Sequence, residues 1–369
     1  MRFKDCFETI TFFMPLDPDS DRRSSHTKPN KSAEMACDAS SSEGQETHQL
    51  TLATLPKQLP ATFLKKITND FSPDRVLGCS VFGKIYKGIL PAGGIIAVKK
   101  LADNSPLLVK AFDTELINLM ALQHKNVVEF VAYCHEGKKD VVNHNGRYVV
   151  VDIMENFLCY KYLPNGSLDK YLYADESSKL DWDKRFQIIK GICEGLQFLH
   201  KKPDGPLIHM NIVPTSIWLD DEWVPKIADF GLSRLFGQEQ TRMNTMNVVG
   251  QNGFMAPEYL YRGEISTMSD IYSLGMLIIE ITTGEKNCSN DKDRAARKFV
   301  EKVHENWKND YHITSKYASL KANGLQEVKL CIDIGLSCVE VDRTKRPSID
   351  YIVDKLNGEC KDADLRTGT

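Results

Sequence analysis

The chain has 369 residues, 42% of them hydrophobic and 26% charged, which is enough to bury a large core and more than one compact unit requires. A formal net charge of -3 with both signs interspersed gives no electrostatic footprint for nucleic acid or an anionic membrane, and points to small molecules or proteins as partners. The ten cysteines form no C-x-x-C pair and no His/Cys cluster at zinc spacing, so reduced thiols in a cytosolic protein are expected.

Residues 1–60 are expected to be a disordered polar leader. Phe7, Ile10, Phe12 and Phe13 give its start some apolar character, but Asp5, Glu8 and the threonines interrupt any signal-peptide core, and residues 17–60 are rich in Ser, Asp, Thr and Pro. Arg2 stands where N-myristoylation requires Gly, and no window reaches the ~18 consecutive apolar residues of a spanning helix, so no intrinsic membrane anchor is expected. Residues 61–163 read as a small β-rich lobe. A short amphipathic segment at Phe63–Phe71 precedes strand-like runs at Val76–Leu77, Lys84–Tyr86, Ile95–Val98, Val127–Ala132, Tyr148–Ile153 and Phe157–Tyr162, around one helix near Phe112–Gln123. Asn145-Gly146 marks a tight hairpin turn inside an insertion spanning 135–156, because both residues accept positive φ. Residues 164–356 are mostly helical, with Phe186, Ile189, Cys193, Leu196 and His200 on one face of a long helix over Trp182–Lys201. A polar tail is expected over 357–369. The fold class is α+β with two lobes.

Chemistry-bearing motifs follow in a fixed order. In Gly78-Cys79-Ser80-Val81-Phe82-Gly83-Lys84-Ile85, glycines between two strands let backbone N–H groups approach phosphate oxygens that a side chain would obstruct. Ile96-Ala97-Val98-Lys99 carries a lone lysine on a strand, and Glu115 lies on the following helix. Asp229-Phe230-Gly231 supplies a hard oxygen ligand suited to magnesium. Met255-Ala256-Pro257-Glu258, Ser269-Asp270 and Arg346-Pro347 come after it.

In this order the motifs resemble the eukaryotic protein kinases over roughly residues 63–356. Tyr162-Leu163-Pro164-Asn165-Gly166-Ser167-Leu168 and Val249–Tyr259 are similar to the plant receptor-like kinases of the Pelle/interleukin-receptor-associated type, and to their cytoplasmic subset. The resemblance implies a bilobal kinase fold that binds ATP through Gly78, Ser80, Gly83, Ile85, Ala97, Lys99 and Glu115. Tyr160 would be the gatekeeper, Lys161, Tyr162 and Leu163 the adenine-binding hinge, and Asp229 the ligand of Mg2+ or Mn2+. Glu258 would pair with Arg346.

The departures from the family's pattern cluster in His209-Met210-Asn211-Ile212-Val213-Pro214-Thr215-Ser216. Asn211 stands at the catalytic Asp position and lacks useful basicity; losing a positioned base costs typically ~10²–10⁴ in rate. Val213 replaces a lysine that neutralises developing charge, and Ser216 replaces a metal-binding Asn. Gln251 takes the place of a supporting Thr. Met210 removes the arginine that would answer phosphorylation at Ser233, Thr241 or Thr245. The resulting expectation is a cytoplasmic pseudokinase that binds ATP and acts through protein partners, such as receptor kinases or other kinases, with any membrane association made through such a partner. The alternative is an active, low-rate Ser/Thr kinase, since phosphoryl transfer depends mainly on positioning and charge.

Overall fold

The computed structural model describes residues 10–13 and 51–359, apart from 81, 103–104, 145, 174–179, 238–239, 288–293, 308, 318 and 322. Strand β1 (Ile10–Phe13) is followed by helix α1 (Ala61–Ile67), β2 (Val76–Ser80), β3 (Gly83–Ile89), β4 (Ile95–Leu101), α2 (Pro106–Met120), β5 (Phe130–His144) and β6 (Arg147–Lys161). The last five strands form one antiparallel sheet in the order β2-β3-β4-β6-β5. Alternation along β4 divides its side chains between the faces. Ile96 and Val98 pack outward with Leu64, Ile67 and Phe71 at α1, while Ala97 and Leu101 pack inward with Phe112 and Leu119 of α2. The same period carries Lys99 to the inner face.

Several expected boundaries shift. The helix expected near Phe112–Gln123 begins at Pro106 and ends at Met120, because a proline in the first turn lacks only an N–H that has no intrahelical acceptor there. The runs at Tyr148–Ile153 and Phe157–Tyr162 are one strand, and Val127 makes only an isolated bridge to Ile227 before β5 starts at Phe130. The 135–156 excursion is the outer part of the β5–β6 ribbon, whose register runs from Phe130 opposite Tyr160 to His144 opposite Arg147. Gly146, with φ 81°, supplies the turn. Upstream of residue 61, Leu59 is buried and its N–H donates to Tyr133 O at 2.8 Å. Ile10–Phe13 pair antiparallel with Val248–Gln251. A short turn at Leu52–Thr54 also precedes Leu59, and residues 1–9 and 14–50 of the leader lie outside the described residues.

The large lobe carries β7 (Gly166–Ser167), α3 (Asp169–Leu172), α4 (Trp182–His200), β8 (Leu207–Ile208), β9 (Ile217–Leu219), β10 (Pro225–Ile227), β11 (Arg234–Leu235), β12 (Met243–Asn244) and β13 (Val248–Gln251). These are followed by α5 (Pro257–Arg262), β14 (Glu264–Ile265), α6 (Thr267–Thr283), α7 (Arg294–Asn306), α8 (Asp310–Lys316), α9 (Gly324–Cys338) and α10 (Ile349–Asn357). Asp181 caps α4 by accepting from Lys184 N, and the stripe Phe186, Ile189, Cys193, Leu196 is buried as its spacing predicts. Helix α6 is buried from Ser269 to Thr283 and forms the lobe's axis.

Arg346 locks the Met255–Glu258 segment to this axis. Its Nη1 and Nη2 donate to the two carboxylate oxygens of Glu258 at 2.7 and 2.8 Å, and Nε donates to Glu340 O at 2.8 Å. The guanidinium side chain is fully buried and the glutamate nearly so. Removing one partner of such a pair strands the other charge. Glu258→Ala is therefore expected to lower the unfolding free energy in urea denaturation by about 3–5 kcal/mol.

Candidate active site

One buried ammonium joins three elements. Lys99 Nζ on β4 lies 2.6 Å from Glu115 Oε2 on α2 and 2.5 Å from Asp229 Oδ1, which precedes a short turn at Phe230–Leu232. The Tyr160 hydroxyl, from β6, donates to the other oxygen of Glu115 at 2.6 Å. Burial opposes charge on Lys99, but the carboxylates of Asp229 and Glu115 outweigh it and hold the ammonium above the usual lysine range. Burial pushes Glu115 upward against the pull of Lys99, because one ammonium serves two carboxylates. Lys99 and Tyr160 between them donate to both Glu115 oxygens, which holds the ion pair together. Burial, with Glu115 beside it, also keeps Tyr160 neutral by raising its phenol.

The catalytic-loop segment is hung from Asp270 at the start of α6. This fully buried carboxylate accepts His209 N at 2.7 Å and Met210 N at 2.8 Å, and His200 Nε2 lies 2.9 Å away. Met210 (φ 66°) and Asp229 (φ 73°) are both left-handed, a conformation that persists for such residues only when the surroundings impose it. The His209 ring packs edge-on against Phe230 with centroids 4.7 Å apart, and its Nε2 lies 3.1 Å from Ala228 O. Burial lowers the His209 imidazole below its ordinary range.

The three substituted positions turn inward. Asn211 is buried; its Nδ2 donates to Asp229 Oδ2 at 3.0 Å, while its Oδ1 has no hydrogen-bond partner. Val213 is a buried aliphatic side chain. The Ser216 hydroxyl lies 2.6 Å from Asn211 O and 2.9 Å from Val213 O, and accepts Val213 N at 3.2 Å. These contacts tie the hydroxyl to the loop's own backbone. Asp229 Oδ1 and Oδ2 each already take a donor, from Lys99 and Asn211. Among the described residues no cluster of three or more His, Cys, Asp or Glu side chains is arranged to hold a metal. Ser233 is buried with its hydroxyl toward His209 O at 3.4 Å, which removes it from the accessible phosphorylation candidates, whereas Thr241 is exposed.

A cavity between the lobes is lined by Ser80, Ile85, Ala97, Lys99, Glu115, Tyr160, Lys161, Leu163 and Asp229 from the expected set. Gly78, Gly83 and Tyr162 do not line it, and neither do Asn211, Val213 and Ser216. Tyr162 instead lies beneath Lys87, whose Nζ is 5.7 Å from the ring centroid. Val128, Thr215, Trp218 and Ala228 complete the wall without having been anticipated.

The cavity's volume is about 30 Å³. Aromatic side chains pack closely at two glycines near it. A Cβ added to Gly78 would come 3.3 Å from Trp218 Cη2, and one added to Gly231 would come 2.6 Å from the Phe82 ring. Phe82, from the glycine loop, is 2% exposed, and its N–H lies 3.3 Å from Ser80 Oγ. The hydroxyl that replaces a glycine thus accepts from a loop N–H.

A family model for the protein kinase domain matches residues 71–356. The chain belongs to the protein kinase domain family. It is similar to cysteine-rich receptor-like protein kinase 25 of Arabidopsis thaliana, with 35% identity over 81% of this chain and 42% of that protein. Cysteine-rich receptor-like protein kinase 8 of the same plant is 38% identical over 80% of this chain and 42% of its own length. For cysteine-rich receptor-like protein kinase 6 of Oryza sativa subsp. japonica the figures are 34%, 90% and 45%. The chain therefore spans under half the length of these relatives. Among the described residues no helix is long and apolar enough to cross a membrane. Protein kinase domains in general use ATP and a divalent metal. In this chain Lys99 and Asp229, which meet at 2.5 Å on the cavity wall, form a set that suits phosphate and metal.

The central ion pairs carry a test of the site's architecture. Lys99→Met leaves two buried carboxylates sharing no cation, and is expected to cost about 3–5 kcal/mol in urea denaturation. Adding Glu115→Gln should recover part of that loss, giving a positive coupling in the double-mutant cycle.

Proposed function

We propose that this protein is a kinase-fold signalling protein whose phosphotransfer step is disabled and which acts through contacts with other proteins. The observation that carries this reading is the inward turn of the whole acceptor-side set. Asn211 donates to Asp229, where a catalytic base would have to accept a substrate proton. Val213 brings no charge to a developing phosphoryl dianion, and Ser216 is bound to the loop backbone. Three losses converge on one step, and a single compensating side chain could not restore it.

The groups that define a closed kinase shape are retained: Lys99 with Glu115, His209 against Phe230, and Arg346 with Glu258. Conservation of shape without transfer chemistry suits a protein that presents a surface. The outer β5–β6 ribbon supplies one such surface. Val141 pairs with Val150 and Val142 with Val149 across the strands, and Val141 and Val150 are 59% and 67% exposed. Protein partners of the receptor-kinase class and a cytoplasmic location fit this reading. Where a nucleotide binds, Lys99 and Asp229 are the groups that would hold its phosphates and metal.

A second reading, a slow Ser/Thr kinase, is favoured by the 2.6 Å Lys99–Glu115 pair, which positions the phosphate-binding lysine. The two readings separate in an autophosphorylation assay with radiolabelled ATP and Mg2+ or Mn2+. The disabled reading predicts no incorporation by the wild-type chain and its appearance in the combined Asn211→Asp, Val213→Lys, Ser216→Asn variant. Wild-type incorporation abolished by Asp229→Asn would establish the slow kinase instead.

A further inference from the structure

We propose that Trp218 is an internal occupant of the base compartment, so that a nucleotide binds this protein only by displacing the indole. Trp218 is the middle residue of β9 and follows Ser216 and Ile217 at the end of the catalytic-loop segment. It is 5% exposed and forms part of the wall of a cavity that also includes Ala97 from the sheet and Lys161 and Leu163 from the interlobe connection. A purine would have to lie between these groups. The indole instead reaches across to the glycine loop, where a Cβ at position 78 would come 3.3 Å from its Cη2. What remains is the 30 Å³ void.

A second contact holds this arrangement shut. Lys170, on α3 of the large lobe, donates from Nζ to Leu77 O on β2 at 2.7 Å. The same ammonium lies 6.0 Å from the centroid of the Trp218 ring. The lysine thus spans the cleft mouth, tying the strand that enters the glycine loop to the lobe that carries the indole. Phe82, buried in the glycine loop, packs its ring against Gly231. The indole and the Lys170 contact thus close the cleft from within.

This goes beyond the loss of phosphotransfer: it concerns access of the base, and its readout is binding instead of transfer. Isothermal titration calorimetry of the full chain with MgATP, compared with Trp218→Leu and Trp218→Phe, tests it. The expected order of affinity is Leu over Phe over wild type, with at least a tenfold gain for Trp218→Leu, equivalent to about 1.4 kcal/mol. Equal dissociation constants for wild type and Trp218→Leu, whether tight or beyond detection, would overturn the proposal. A measurement on the wild-type chain alone guards against a variant that fails to fold. If wild type saturates with MgATP, its near-ultraviolet circular dichroism must change as the indole leaves its packed site, and saturation without that change would overturn the proposal. Failure of the wild-type chain to saturate at millimolar MgATP supports it where Trp218→Leu or Trp218→Phe does saturate, and overturns it where the folded variants do not. Restored binding in Trp218→Leu without autophosphorylation would leave the disabled-transfer reading standing, so the two ideas fail separately.

Discussion

The buried ammonium of Lys99 is the interaction on which the rest of the arrangement depends. A lysine at 1% exposure is tolerated only because Glu115 and Asp229 stand at 2.6 and 2.5 Å. Those carboxylates come from α2 and from the turn before Phe230, so neutralising one charge fixes the helix, the sheet and the turn relative to each other. Tyr160 satisfies the remaining glutamate oxygen, and Asn211 satisfies the remaining aspartate oxygen. The charge cluster thereby reaches from the sheet to the segment His209–Ser216. Asn211 is then more than a lost base: an aspartate in the same pose would set two carboxylates about 3.0 Å apart, whereas the amide donates.

Much of the site was legible because local patterns place its members. Lys99, Glu115 and Asp229 were expected from the resemblance to kinase motifs, and alternation along β4 accounts for Lys99 facing inward. The Glu258–Arg346 pair was likewise expected from the order of motifs, and the structure shows it as a bidentate contact. Trp218 was not singled out. A tryptophan between Ile217 and Leu219 reads as ordinary core in a short strand, and only the placement of β9 beneath Gly78 shows which space it fills. The available signal was its size at a position immediately after the substituted catalytic loop. Ser216 was legible as a departure but not in its new use, because its partners are backbone carbonyls whose positions depend on the turn over Pro214–Ser216.

The β5–β6 ribbon shows a different limit. Glu155 and Asn156 interrupt the apolar run of β6 and suggest a break between two strands, yet pairing continues through both residues. Charge is compatible with a strand when that stretch of ribbon extends into solvent. Asn156 is itself buried with its Oδ1 2.8 Å from His135 Nδ1, so polarity at that point marks a cross-strand contact and not a loop.

The proposed loss of transfer chemistry and the proposed filling of the cleft would be physically related. An open nucleotide site must keep polar backbone and a charged lysine accessible while remaining ordered, which leaves its stability dependent on ligand. Here the lysine is enclosed by two carboxylates, the loop N–H of Phe82 lies close to the Ser80 hydroxyl, and the base compartment is packed by an indole. Each change substitutes an internal contact for one a ligand would otherwise make. The two lobes are then held together by the protein's own side chains, through Trp218 under Gly78 and Lys170 on Leu77 O. A surface that spans both lobes keeps its form irrespective of nucleotide concentration, which is the property a docking protein needs and a nucleotide-gated enzyme would lack.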